Sequence, residues 1–135
     1  MKRRDFLKST LLVAAGALMP ASFNAFAGSG LEFPGIIYTP DNSGKWSAKV
    51  GGHMPNVALQ GDEVNITTNH SMSQEHYIVR HTLVSKEGEV LGEKTFYPSD
   101  PEAVSTFQLP KGSGQKFYAT SFCNKHDFWV AAFSV

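Results

Sequence analysis

The chain has 135 residues, 41% hydrophobic and 12% aromatic, enough apolar bulk to fill the core of one domain and to argue against disorder. Formal charge is zero overall, but the first 27 residues hold Lys2, Arg3, Arg4 and Lys8 against Asp5; removing these from totals of 12 and 12 leaves 8 basic and 11 acidic residues, a net of −3. Such a mildly acidic body lacks the basic face that neutralises phosphates, which sets nucleic acid aside as a partner.

Taken in chain order, residues 1–27 read as an export signal: a basic start, an apolar run from Leu11 to Met19, and small Ala25 and Ala27 flanking Phe26. Cleavage is expected after Ala27, leaving 28–135 as a soluble domain. The apolar run is well short of the roughly 20 residues a spanning helix needs, so no membrane anchor is expected after cleavage. Arg3-Arg4-Asp5-Phe6-Leu7-Lys8 is similar to the twin-arginine pattern of the bacterial route for already folded proteins, which points to the periplasm. A chain exported folded can collect a metal in the cytoplasm; ordinary secretion is the alternative.

From Gly28 to about Trp46 the composition, rich in Gly, Pro, Ser and Asn, suggests irregular structure laid over a core. Beyond it, alternation or β-branched and aromatic enrichment marks strands at Asn56–Leu59, Glu63–Thr68, Tyr77–Val84, Val90–Tyr97, Ala103–Leu109, Lys116–Phe122 and Phe128–Val135. Turn signals separate them at Gln60-Gly61-Asp62, Lys86-Glu87-Gly88, Pro98-Ser99-Asp100-Pro101 and Pro110-Lys111-Gly112-Ser113-Gly114. No stretch between them shows a helical stripe. About seven short strands so punctuated predict an all-β, immunoglobulin-like antiparallel sandwich, with a small barrel as the alternative. Phe96, Phe107, Phe117, Phe122, Trp129 and Phe133 are assigned to a core between two sheets.

Cys123 is the single cysteine, and an exported domain would ordinarily pair its cysteines or avoid them. Beside it runs Cys123-Asn124-Lys125-His126, a thiol and an imidazole that can bind one ion from a tight loop. That spacing is weak alone, and a lone thiol is as readily inert. The other histidines, His53, His70, His76 and His81, lie in the same domain, three of them in punctuated segments: Gly51-Gly52-His53-Met54-Pro55, Asn69-His70-Ser71-Met72 and Glu75-His76-Tyr77-Ile78.

Together these segments carry a family resemblance. His53-Met54-Pro55 resembles the His-x-Pro element of superoxide reductases, the neelaredoxin and desulfoferrodoxin iron-domain family. His70-Ser71-Met72 and Glu75-His76-Tyr77-Ile78 resemble its His-Pro-Met and Glu-His-Tyr-Ile elements, and Cys123 to Trp129 resembles Cys-Asn-x-His-Gly-Leu-Trp. Order and spacing match from about Val50 to Ala132. The resemblance implies one mononuclear iron, Fe(II) or Fe(III), with His53, His70, His76 and His126 as equatorial nitrogens and Cys123 as axial sulfur. It also implies an immunoglobulin-like fold and the one-iron type, since a single cysteine cannot build the additional cysteine-rich module. Superoxide would take one electron from the iron, gain two protons and leave as hydrogen peroxide at the position opposite the sulfur.

Two departures from the family pattern stand out. A Glu-Lys pair commonly precedes the first histidine, where this chain has Gly51-Gly52; Lys125 or Lys49 is then the candidate for electrostatic steering of the anion. Asp127 stands where glycine is usual, which matters if the position needs positive φ. The expected partners are superoxide and an unidentified electron donor, with self-association of the chain left open. Two readings compete: a cupredoxin-like copper carrier, disfavoured because no methionine follows Cys123, and a metal-binding or electron-transfer module without turnover.

Overall fold

The computed structural model describes Phe33 and residues 35–135; the expected export signal, its twin arginines and its cleavage site lie outside the described residues. Among the described residues eight strands form two sheets. β1 (Ile37–Tyr38), β4 (Ile78–Ser85), β5 (Val90–Thr95), β7 (Lys116–Cys123) and β8 (Asp127–Ser134) make one, in the order β1-β8-β7-β4-β5. β2 (Asn56–Gln60), β3 (Glu63–Thr68) and β6 (Ala103–Gln108) make the other, in the order β2-β3-β6. This is the expected β-sandwich, and each predicted strand forms within two residues of its expected ends. Among the described residues no helix is long and apolar enough to cross a membrane.

Alternation explains which residues face inward. Along β7, Phe117, Ala119, Ser121 and Cys123 are buried while the residues between them are half-buried, and the partners of those four are Ser85, Leu83, His81 and Ile78 of β4. In the smaller sheet Val64, Ile66 and Thr68 face inward opposite Phe107, Ser105 and Ala103. Val64, Ile66, Leu83, Leu109, Phe117 and Ala119 form an apolar cluster at one end. Complete burial of a side chain such as Ile66 or Leu83 stabilises the fold by about 1.5–3 kcal/mol. Ile78, Phe96, Ala103 and Cys123 form a second cluster at the other end, with Met72 packed against it.

Between the clusters lies a polar layer. His81 Nε2 is 2.8 Å from Thr68 Oγ1, His81 Nδ1 is 2.8 Å from Ser105 Oγ, and Thr68 Oγ1 is 2.9 Å from Ser121 Oγ. The four side chains come from four strands of both sheets and are buried, so the fifth histidine is a satisfied core residue.

Three features differ from the sequence expectation. The segment read as irregular contains β1, which pairs in parallel with β8 and so breaks the all-antiparallel pattern; two residues are too few to show a period. A 3₁₀ turn (Gly44–Lys49) and a one-turn helix, α1 (Val50–His53), precede β2 where no helix was expected; four residues carry no stripe. Phe122 is not between the sheets: it shares the outer face of β7 with Tyr118 and Thr120, and its ring lies 4.6 Å from that of Phe128. Inward Cys123 forces its neighbour outward.

Candidate metal centre

The histidine-bearing segments meet at the end of the sandwich that holds the second apolar cluster. His53 closes α1, and its Nδ1 donates to the Lys49 carbonyl at 2.9 Å, one turn earlier. His70 follows β3, anchored by its amide to the Thr68 carbonyl at 2.8 Å, and its Nδ1 donates to the Ser71 carbonyl. A carbonyl only accepts, so both rings carry their proton on Nδ1 and present the Nε2 lone pair. His76 sits in a tight turn in which its amide donates to Ser73 Oγ at 3.1 Å and Ser73 N donates to its carbonyl at 3.0 Å.

Cys123 ends β7 facing inward, and Asn124 to His126 form the turn into β8. Asp127, paired with Cys123, closes that turn at φ 57. Hairpin loops of this length end on a left-handed residue, which is why glycine suits the position and aspartate is tolerated there. His126 is held by its carbonyl, which accepts from Trp129 Nε1 at 2.9 Å.

Donor atoms converge from all four segments. His70 Nε2 lies 3.1 Å from His76 Nε2, His76 Nε2 lies 3.1 Å from His126 Nδ1, and His126 Nδ1 lies 2.9 Å from His53 Nε2. The nitrogens thus follow one another in the order His70, His76, His126, His53. Cys123 Sγ is 3.2 Å from His76 Nε2 and 3.5 Å from His126 Nδ1. The donor atoms of His53, His70, His76 and Cys123 all fall within 4.8 Å of one another, a group that could hold a metal ion. Adjacent nitrogens around one ion, with metal–nitrogen bonds of about 2.1 Å, stand about 3.0 Å apart. Lone pairs crowded this closely repel one another unless a cation lies between them, so the donor set fits a metal.

A family model described as desulfoferrodoxin matches residues 45–132, a span that contains all five converging side chains. The chain belongs to the desulfoferrodoxin family. Solved structures agree with the family assignment. A one-iron superoxide reductase from Giardia intestinalis is 26% identical, with a TM-score of 0.57, covering 62% of this chain and 98% of its own. A variant of the superoxide reductase (neelaredoxin) from Ignicoccus hospitalis is 27% identical, with a TM-score of 0.62, covering 78% of this chain and 98% of its own. The superoxide reductase from Treponema pallidum is 28% identical, with a TM-score of 0.52, covering 62% and 68%. No curated protein matches the chain.

In this desulfoferrodoxin-family centre, burial lowers the pKa of His53 to about 4, more than the Lys49 carbonyl raises it. His70, His76 and His126 are lowered as well, burial first, with the Lys49 charge contributing to each. The four rings are therefore neutral at pH 7, the form that binds metal. Burial raises the Cys123 thiol above its ordinary value, against hydrogen bonds from the backbone of Lys125 and His126 that lower it. A bound cation reverses that balance and deprotonates the sulfur.

His53, His126 and Cys123 are buried, whereas His70 and His76 are half-buried, so the donor group opens toward solvent on their side. Lys49 and Lys125, the steering candidates, are exposed, and both charges act on His76 and His126. Gly51 and Gly52 bring no charge, and a Cβ at Gly52 would meet only the Asn69 carbonyl at 3.5 Å.

Two site residues have parts that the motifs do not assign: Asn124, which stands in the Cys-Asn-x-His element without a role attached to it, and Trp46, which lies outside every element. Asn124 Oδ1 accepts from Tyr77 N at 3.0 Å and its Nδ2 donates to the Glu75 carbonyl at 3.0 Å, tying the Cys123 turn to the His76 loop. Trp46 packs against the His126 ring at an interplanar angle of 76°, centroids 4.5 Å apart. The available signal for Trp46 is a lone indole between two lysines in a polar stretch.

Proposed function

We propose that the chain is a superoxide reductase in which His53, His70, His76, His126 and Cys123 hold one iron ion. The observation that carries the reading is the convergence of four imidazole nitrogens, each within 3.1 Å of the next, with the Cys123 sulfur beside them. Four nitrogens weigh against a blue-copper site, which uses two histidines and a cysteine. Iron bound there would supply one electron to superoxide, which leaves as hydrogen peroxide after taking up two protons.

The chain's own residues do the rest. Cys123 is fully buried, so its sulfur occupies the inner side and leaves the solvent side for a small anion. Lys49 and Lys125 raise the local positive potential and increase the anion's capture rate, standing in for the cation absent at Gly52. The half-exposed edges of His70 and His76 leave water at hand to deliver protons. The Lys49 and Ser71 carbonyls hold His53 and His70 in the metal-binding tautomer. The basic and apolar leader with Arg3-Arg4 supports delivery of the folded chain to the periplasm.

The test is elemental analysis followed by a superoxide pulse on anaerobic, natively exported protein. One iron per chain, peroxide formed one for one and no oxygen evolved are expected. A thiolate-to-iron band in the red should disappear in Cys123→Ala. Iron that ignores superoxide favours a binding module, and one equivalent of copper in place of iron overturns the metal assignment.

A further inference from the structure

Reduction of superoxide without dismutation would consume one external electron per turnover, so an electron carrier must be able to reach the metal centre from the surface. Lys45, Lys49 and Lys125 are exposed. Half-buried Trp46 lies between the first two, with Lys45 Nζ 4.9 Å and Lys49 Nζ 5.9 Å from its ring centroid. The same indole packs against His126, whose Nδ1 is one of the converging donors. Lys125 is next to His126 on the turn from β7 to β8, and Asp127 is the acidic side chain whose charge acts on His126 in opposition to the lysines. Two of the 8 basic residues outside the leader thus border the Trp46 indole and a third adjoins the His126 it packs on, on a body of net charge −3.

On that basis, which rests on the reductase reading, we propose that the Lys45-Trp46-Lys49 turn and Lys125 dock an acidic one-electron carrier protein. Trp46 is then the contact through which its electron reaches His126. The step is a single electron leaving the reduced carrier and arriving at the oxidised metal centre, with no bond made or broken and no proton required by the transfer itself. Exposed lysines around an aromatic suit a transient redox contact: charge speeds the encounter, a small interface permits rapid release, and the indole fills the centre. Packing of Trp46 on His126 makes the route short.

A reduced plant-type ferredoxin, strongly acidic, serves as the probe. In the zinc-loaded full chain, titration with oxidised ferredoxin should shift the amides of residues 44–49 and 124–126 and the Trp46 indole, and 0.3 M salt should abolish the shifts. In the iron-loaded protein, Lys45→Glu should slow reduction by ferredoxin about tenfold at low salt and flatten its salt dependence, with superoxide consumption unchanged. Trp46→Leu should slow reduction about tenfold while Trp46→Phe retains most of the rate. Shifts on another face, no shifts, or equal reduction rates in wild type, Lys45→Glu and Trp46→Leu overturn the proposal. If the iron is inert toward superoxide yet the shifts map here, the docking inference stands and the reductase reading fails.

Discussion

Cys123 is the one donor at the centre whose proton a metal must displace near neutral pH, because burial raises its pKa while burial lowers those of the four imidazoles. Metal affinity should therefore rise about tenfold per pH unit from about 6.5 upward, one proton released per ion. Chelator competition across that range measures the slope, and Cys123→Ala should flatten it; a wild-type slope near zero would mean the thiolate forms without metal. Asn124→Ala tests the tie between loops. Losing its two bonds to Tyr77 and Glu75 should cost about 1–2 kcal/mol of stability, and disturbed donor geometry should weaken iron binding about 10–100-fold. An unaltered affinity in the same competition assay would show that the His76 loop holds its place unaided. That these five side chains converge was legible through the family elements they sit in, whereas the spacing of any one of them alone left the inert reading open. The parts played by Asn124, itself a motif position, and by Trp46 were not, because they depend on distances between loops far apart in the chain.

Strands were legible for a different reason: inward and outward residues alternate along β3 and β7, and the pattern is written directly in the residue types. Where an element is too short for a period, as in β1 and α1, the sequence carries no such record. α1 offers a direct test of the missing cation. Gly52 has an unstrained helical backbone with room for a side chain, so Gly52→Lys should fold and stabilise the helical turn by up to about 1 kcal/mol. It should raise the superoxide capture rate up to about tenfold at low salt, the gain vanishing at high ionic strength. Pulse radiolysis at two salt concentrations decides it; no gain would mean that Lys49 and Lys125 already saturate steering.

The polar layer between the sheets makes a pH prediction at the same scale. Burial, assisted by the Lys94 charge, lowers His81 from the ordinary 6.5 to about 4. The unfolded chain therefore takes up this proton first as pH falls. The stability that neutral His81 contributes is complete above pH 6.5 and declines by about 1.4 kcal/mol per unit between 6.5 and 4. Denaturant unfolding of metal-free wild type and His81→Gln, compared across that range, should show the variant's slope shallower by one proton. Parallel slopes would place the titration elsewhere.

At the scale of the molecule, the sandwich has two unlike ends divided by that layer. One is closed by Val64, Ile66, Leu83, Leu109, Phe117 and Ala119, whose packing owes nothing to a metal. The other is closed by α1, the His70 to His76 loop and the turn after Cys123, held to one another by a few hydrogen bonds and by the converging donors. A metal that binds only the folded chain stabilises it by about 2.7 kcal/mol at a free concentration 100 times its Kd. That stabilisation should act mainly on the weaker end, since without the ion nothing offsets the repulsion among crowded lone pairs. Chelating the metal should accelerate amide exchange in residues 44–54, 69–77 and 124–126 by an order of magnitude or more. The central amides of β3, β6 and β7 should stay protected to within about threefold. Uniform acceleration across both sheets would instead make the ion a fastener of the whole fold, and the division into a self-sufficient end and a metal-dependent end would be wrong.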